Sequence, residues 1–185
     1  SSSSSSSPSA AAVVSTHLRS RARTGEILRA EAVGIDVLEL RAGMIIAAGS
    51  VSFTLARDVA ARLPFLLRPP WLRSRQQPVA LADVVAAIDF ALQPSTPAGV
   101  YACAGPETLA GDEVLLRLGL MLGHRPRVID VPGLTHAAAA RALAMFTRAP
   151  RDVVAELVFG MTGDLCSEDP DIFDAMVGHT RQPFA

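Results

Sequence analysis

Residues 81–123, LADVVAAIDFALQPSTPAGVYACAGPETLAGDEVLLRLGLMLG, decide the fold class of this chain. Residues 81–92 predict an amphipathic helix, 99–105 predict a short apolar strand, and 111–123 predict a second helix that Gly123 ends. A strand between two helices is typical of an α/β protein. The core side of the first helix is expected to hold Val84, Val85, Ile88, Ala91 and Leu92.

The rest of the chain continues this alternation of helices and short apolar strands. Residues 35–46 predict a buried strand, and 126–132 predict another. Between them, 66–79 contain three prolines and predict a loop. We therefore expect an α/β fold with only three or four strands. Further helices are predicted at 15–32, 51–63, 135–147 and 151–161.

Composition excludes several function classes. The 185 residues carry a formal net charge of −1 and form no basic stripe, so we expect no nucleic-acid partner. No apolar run is long enough to span a membrane. Cys103 and Cys166 are far apart in sequence and predict two reduced thiols, which favours the cytoplasm. The four histidines have no ligand spacing, so we expect no metal site.

The chain contains no lysine, because all seventeen basic residues are arginine. This excludes a Walker A phosphate loop, a Schiff-base lysine and a Tyr-x-x-x-Lys pair. The sequence also lacks the G-x-G-x-x-G and G-x-x-G-x-x-G patterns that bring backbone close to a dinucleotide's diphosphate.

The sequence divides into three parts. Residues 1–14 are rich in serine and are expected to be disordered, since they cannot bury apolar surface. Residues 15–162 are expected to form one α/β domain, and residues 163–185 a polar tail with a short helix near residues 169–178.

Four segments, in this order, resemble an atypical short-chain dehydrogenase/reductase of the NmrA-like, NAD(P)-binding kind. They are HLRSRARTGEILR (17–29), VLELRAGMIIAAGS (37–50), RQQPVALADVVAAIDFAL (75–92) and GVYACAGPETLAGDEVL (99–115). They are similar to the family's active-site helix, the strand after it, its Q-P-(I/V)-x-x-x-D-V segment and its G-G-P-E-x-(L/M) segment. The resemblance implies the C-terminal half of a Rossmann-like fold with a small substrate-side lobe. It also implies that the glycine-rich N-terminal half is missing.

The resemblance also implies site residues. His17 and Arg21 stand at the places of the catalytic tyrosine and lysine, and share one face of a helix. The strand residues Ala42, Gly43 and Met44 would pass along the nicotinamide side of NAD(P). The expected substrate-side residues are Arg68, Trp71, Arg73, Arg75 and Gln77.

Each of these assignments has a simpler alternative. His17 can act as an acid or base and Arg21 can donate to ribose, but both also fit a solvated helix face rich in arginine. Gly43 also fits the end of a core strand, and the arginines around Trp71 also fit a surface loop. Asp83 can cap its helix, and Gln77 can bridge backbone groups in a loop.

Two functions follow as hypotheses, beside a third possibility that the sequence is a truncated piece of a working reductase. The first is the substrate-side half of an NAD(P)-dependent oxidoreductase that binds no dinucleotide and turns over nothing alone. The second is a non-catalytic binding or assembly module whose open sheet edge pairs with a partner. That partner would be a separate Rossmann half or a second copy of the chain.

Overall fold

A computed structural model describes residues 16–146, 150–161 and 163–184. The serine-rich segment 1–14 lies outside these residues. The helices are α1 (Thr16–Glu31), α2 (Val51–Arg62), α3 (Leu81–Ala91), α4 (Gly111–Met121), α5 (His136–Phe146), α6 (Arg151–Gly160) and α7 (Ile172–Ala175). The strands are β1 (Leu38–Ala42), β2 (Ile45–Ile46), β3 (Phe65–Arg68), β4 (Arg75–Gln76), β5 (Val79–Ala80), β6 (Gly99–Cys103), β7 (Leu109–Ala110) and β8 (Arg127–Asp130). Pro70–Arg73 form a 3-10 turn.

The strands of the described chain form four small pairs. β1 pairs with β6, β2 with β5 and β3 with β8, all parallel, while β4 pairs antiparallel with β7. The predicted α/β class is confirmed. The predicted number of strands is wrong, because β2, β4, β5 and β7 each span two residues, too few for an apolar pattern.

The continuous buried strand predicted at 35–46 is also wrong. The chain leaves the extended ladder at Gly43 and Met44, so β1 and β2 are separate strands. Ile35 lies before β1 and is 72% exposed, although its side chain is apolar. An apolar run in sequence therefore does not establish which residues are buried here.

Helices lie on both faces of the β1–β6 pair. On one face, Gly25 of α1 approaches Glu39 of β1 so closely that an added Cβ would lie 2.6 Å from the Glu39 Cδ. Arg29, one turn later, pairs with the same carboxylate. On the other face, Leu40 packs in a cluster with Ala87 of α3. Gly25 therefore permits the close approach of α1 to β1.

Two hydrophobic clusters hold the described residues together. The larger one joins α2, α4, α5 and α6, and the smaller one joins α3, α7, β5 and β6. The larger cluster includes Leu55, Ala56, Val59, Val114, Leu118, Ala140, Val154 and Val158. The smaller one is formed by Val79, Ala87, Cys103, Ile172 and Phe173.

The predicted core side of α3 is partly wrong. Val85, Ile88 and Leu92 are 50%, 45% and 77% exposed, whereas Asp83 and Ala87 are buried. A helix with apolar residues on more than one side does not reveal which side faces the sheet.

Residues 163–184 pack against the α/β domain. Ile172 is fully buried, and Phe173 and Phe184 are 7% and 6% exposed. Ala102 of β6 donates its N–H to the Pro170 carbonyl at 2.9 Å, so this segment covers the outer edge of β6. None of the helices in the described residues is both long and apolar enough to cross a membrane.

Candidate functional site

The candidate site lies where the parallel strands β1 and β6 end. β1 runs from Leu38 to Ala42 beside β6, so Gly43 and Ala104 follow the two carboxyl ends at the same edge. Ligands of open α/β sheets bind outside the carboxyl ends of the strands. The described geometry therefore favours this edge as a place for a ligand.

Three residues bring their backbones close together at this edge. A Cβ on Gly43 would lie 3.6 Å from the Gln77 carbonyl oxygen. The same carbonyl accepts a hydrogen bond from Gly105 N–H at 3.4 Å. At Gly105 a Cβ would lie 2.7 Å from the carbonyl carbon of Pro78, so only glycine fits there.

The structure thus brings Gly43 and Gln77 together, two residues that the sequence assigned to the cofactor and substrate sides. Ala42 is exposed beside them at the end of β1. Met44 is buried, and its carbonyl accepts from Val79 N–H at 2.9 Å, so its main chain joins β2 to β5.

Arg75 borders this edge through the C-terminal segment. Its N–H donates to Asp164 Oδ1 at 2.7 Å, and its carbonyl accepts from Leu165 N–H at 2.8 Å. The half-buried Cys166 follows, and burial raises the pKa of its thiol. The side chain of Arg75 is exposed and is available to an anionic group.

Arg68 and Arg73 form a separate cluster around Asp130. Arg68 donates to both oxygens of Asp130, at 2.7 and 2.9 Å, and also to Asp112 at 3.3 Å. Arg73 reaches Asp130 at 3.4 Å. The hydrogen bonds from Arg68 hold the pKa of Asp130 below its usual range. Because these carboxylates already pair with the arginines, the geometry of the cluster indicates a structural role more than anion binding.

Trp71 is also held by its own neighbours. Its indole N–H donates to the Leu134 carbonyl at 3.0 Å. Its ring lies 4.7 Å, centroid to centroid, from that of His136, which in turn lies 5.4 Å from that of Phe159. The tryptophan therefore joins the 3-10 turn to α5 and α6.

Helix α1 places Arg21 on an exposed surface. The side chain of His17 lies outside the described residues. Arg21 lies one turn before Gly25, the residue that contacts β1. Because α1 and β1 are joined by a short turn, the start of α1 extends toward the carboxyl end of β1. Among the described residues, no hydrogen bond or ion pair ties Arg21 to the candidate site.

Sequence reasoning missed the role of Asp83. Its carboxylate is 2% exposed and accepts from His179 Nε2 at 3.0 Å and from Gln182 N–H at 2.9 Å. It therefore anchors the C-terminal segment and is not the helix cap that the sequence predicted. His179 stacks on Phe173, with ring centroids 5.3 Å apart. The only signal in the sequence was an acidic residue among the apolar residues of a predicted helix.

The same segment is held at two further points. Arg181 donates to Asp171 at 2.6 Å and to the Ala104 carbonyl at 3.1 Å. Phe184 N–H donates to Glu107 at 3.0 Å, and Arg117 pairs with Glu107 at 2.6 Å. The hydrogen bond from Arg117 lowers the pKa of Glu107.

Two helices that directly follow strands begin with acidic residues. Asp83 lies in the first turn of α3, and Asp112 and Glu113 lie in that of α4. Carboxylates there compete with a phosphate for the free N–H groups. α2 has no acid in its first turn, but the turn between β2 and α2 contains a single glycine, Gly49. The starts of α2, α3 and α4 thus do not fit a dinucleotide's diphosphate.

Neither metal nor thiolate chemistry is indicated. No group of three or more histidine, cysteine or acidic side chains that could hold a metal occurs among residues 16–146, 150–161 and 163–184. Cys103 is fully buried, and burial together with Asp171 and Asp83 raises its thiol pKa to about 11. Cys103 and Cys166 are free cysteines.

Comparisons with known proteins identify the fold alone. No family model matches the chain, and no curated protein matches its sequence. UDP-N-acetylglucosamine 4-epimerase from Bacillus cereus is similar with a TM-score of 0.51 and 12% identity, over 91% of this chain and 56% of that one. RMD from Pseudomonas aeruginosa, complexed with NADPH, is similar with a TM-score of 0.49 and 14% identity, over 85% of this chain and 62% of that one. The Bordetella bronchiseptica enzyme WbmG, in complex with NAD and UDP, is similar with a TM-score of 0.46 and 18% identity, over 82% of this chain and 52% of that one.

The chain thus spans little more than half the length of these solved structures. At such identities the likeness establishes no shared activity. The resemblance noted in the sequence is confirmed for the fold, while its NmrA-like character and its C-terminal position stay predictions. The chain has an α/β fold similar to that of the epimerase, and it covers about half of that enzyme's length.

Proposed function

We propose that the chain is the substrate-side part of a short-chain dehydrogenase/reductase-like, NAD(P)-dependent oxidoreductase, and that it is not catalytic alone. The observation that carries this proposal is the meeting of Gly43, Gln77 and Gly105 at the carboxyl ends of β1 and β6. Gly43 is exposed at this edge, which is the side where the resemblance expects nicotinamide. The exposed Arg75 side chain then lies on the substrate side of the same edge.

The starts of α2, α3 and α4 give the other end of the dinucleotide no fitting place. Asp83, Asp112 and Glu113 occupy the first turns of α3 and α4, and Gly49 is alone in its turn. A diphosphate needs several backbone N–H groups and close glycine backbone at once. We therefore propose that a separate dinucleotide-binding part supplies the diphosphate site.

In the complete assembly, Arg21 would donate to the ribose hydroxyls. It would stay protonated and so would not relay protons. His17 would be the acid or base, because imidazole exchanges protons near neutral pH. When bound, NAD(P) would supply the hydride chemistry, which no side chain can provide.

Titration of the isolated chain with NADH and with NADPH tests this proposal. Dinucleotide fluorescence should show no saturable change with the chain, whereas WbmG, which is known in complex with NAD, serves as the positive control. Saturable binding of either dinucleotide at micromolar concentration would show that the chain holds its own diphosphate site, and would overturn the proposal.

A non-catalytic binding or assembly module is the second candidate. It is favoured by the replacement of the Tyr-x-x-x-Lys pair by His17 and Arg21. Self-association is the simplest form of such a module, and light scattering after size exclusion measures it directly. A stable homodimer that binds no dinucleotide would favour this candidate.

A further inference from the structure

An open groove of about 520 Å³ lies between α3 and the turn that follows α7. Small-molecule sites in proteins have volumes of about 300–1,000 Å³, and most of their lining is apolar with a few polar groups. Five of the eight residues that line this groove are apolar. The lining includes the apolar residues Phe90, Met176 and Val177 and the polar residues Asp89, Gln93 and His179.

The groove is separate from the candidate site at the ends of β1 and β6. α3 begins directly after β5, whose Val79 bonds to Met44 beside that site. Asp89 lies eight residues after Leu81, the first residue of α3, which places it about 12 Å further along the helix axis. A ligand in the groove would therefore not occupy the side that the proposed function gives to nicotinamide.

The walls of the groove are held in place by the fold itself. Phe90 and Met176 are half-buried and pack against the smaller hydrophobic cluster. His179 N–H donates to the Met176 carbonyl at 3.2 Å, and Gly178 between them has a φ of 83°, which favours glycine. The turn from Met176 to His179 is thus closed by its own main chain, so the groove is already formed without a ligand.

The buried Asp83 determines how the His179 ring can hydrogen-bond. Its carboxylate is 2% exposed, and its Oδ1 lies 3.0 Å from His179 Nε2. An ionised carboxylate only accepts hydrogen bonds, so Nε2 carries the proton and Nδ1 of the neutral ring keeps a lone pair. Nδ1 has no hydrogen-bond partner among the described residues and is accessible to solvent. It is therefore an open acceptor.

Asp89 and Gln93 add two further polar side chains, one helical turn apart on α3. Both residues are exposed, and neither side chain has a hydrogen bond or ion pair within residues 16–146, 150–161 and 163–184. The groove thus offers a carboxylate, an amide oxygen and the lone pair of His179, and no arginine lines its described surface. These acceptors match an ammonium group, which has three N–H donors and no acceptor.

We propose that this groove binds a small molecule that carries a primary ammonium group on an aliphatic chain. The ammonium donates to Asp89, Gln93 and Nδ1 of His179, and the aliphatic chain packs on Phe90 and Met176. Residues 1–185 contain no lysine, so no lysine side chain of a second copy supplies this group. A lysine of another polypeptide has the same chemistry and is distinguished by the experiment. The inference goes beyond the proposed function and does not depend on it.

A titration of the whole chain with hexylamine, followed by amide NMR shifts in an amine-free buffer, tests the site. Binding should saturate with a Kd of about 1 mM, as expected for a ligand of this size, and shift the amides of Asp89, Gln93 and His179. Ethylamine should bind about tenfold more weakly or worse, because it lacks four methylene groups. Hexanoate, which has the same chain length and the opposite charge, should leave these amides unshifted.

Two variants with the same loss of charge locate the ammonium. Asp89→Asn should weaken hexylamine binding about fivefold, because it removes the carboxylate from the groove. Asp174→Asn is the matched control, since Asp174 is an exposed acid on α7 that does not line the groove, and it should leave the Kd unchanged. Both acids are exposed, so both variants should fold like the parent chain.

The blocked peptide acetyl-Ala-Lys-Ala-amide distinguishes the two sources of the ammonium. Hexylamine binding as tightly as the peptide, or more tightly, supports a small molecule, whereas tenfold tighter binding of the peptide would overturn that part of the proposal. Equal Kd values for Asp89→Asn and Asp174→Asn, hexanoate binding at the same residues, or hexylamine shifts confined to other residues would each overturn the site. The dinucleotide titration tests the proposed function separately.

Discussion

Replacement of Asp83 by alanine should detach the C-terminal segment from α3. The carboxylate is 2% exposed and holds His179 at 3.0 Å and the Gln182 N–H at 2.9 Å. A hydrogen bond to a charged group contributes about 1.5–3 kcal/mol. His179 and Gln182 can both regain water after the change, so the lower value applies to each bond. The expected loss is therefore about 3 kcal/mol in the free energy of unfolding.

Asp89→Ala is the matched control, because Asp89 is an exposed acid on the same helix. Surface substitutions of this kind change the free energy of unfolding by no more than about 0.5 kcal/mol. For a domain of this size, about 3 kcal/mol corresponds to a fall of about 6–12 °C in the melting temperature.

Urea unfolding of both variants, followed by circular dichroism, measures the difference. Amide exchange at residues 179–184 should accelerate in Asp83→Ala alone, because those residues lose their anchor. If Asp83→Ala and Asp89→Ala unfold at the same urea concentration, the carboxylate does not anchor the segment and the reasoning is refuted.

Three further predictions concern the candidate edge, the charges and the thiols. Gly105→Ala should lower the free energy of unfolding by about 2 kcal/mol or more, because the new Cβ meets the Pro78 backbone. Gly133→Ala is the control, because its Cβ would meet nothing within 4 Å, and it should be nearly neutral in the same urea titration. Because the pKa of Asp130 is lowered in the folded state, its ionised carboxylate stabilises the fold. This stabilisation is fully present above the unfolded-state pKa of about 3.9, and it is lost as the pH falls through the folded-state pKa. Urea midpoints from pH 7 to pH 3 should therefore fall less steeply in Asp130→Asn than in the parent, and parallel curves would contradict this. At pH 8, iodoacetamide should alkylate the half-buried Cys166 before Cys103, whose pKa is about 11, and mass spectrometry that finds the reverse order would contradict the burial of Cys103.

The sequence predicted the class of the fold because strong local signals were present. Gly123 ends α4 with a positive φ of 84°, and Pro64 follows α2 closely, so both helices end where the pattern places their ends. The number of strands could not be predicted from the sequence, because two-residue strands form only when distant segments of the chain pair with them. For example, Val79 of β5 is held beside β2 by the hydrogen bond from its N–H to the Met44 carbonyl.

The candidate site was predictable only in part. Gly43 and Gln77 lie in motif segments, and the fold brings them together. Arg68 lies in the predicted loop 66–79, and Asp130, 62 residues later, pairs with its charge. The role of Asp83 depends on Gln182, 99 residues away, and no local pattern shows such a contact. Charge pairing between distant residues thus decides which candidates are free to bind.

The most direct test of the central claim is a calorimetric titration of the isolated monomeric chain with NADH. Because the starts of α3 and α4 carry acids, we predict no saturable heat at concentrations up to about 1 mM. A single-site isotherm with a Kd of about 10 µM or lower would contradict the account. It would mean that this chain holds the diphosphate of a dinucleotide by itself.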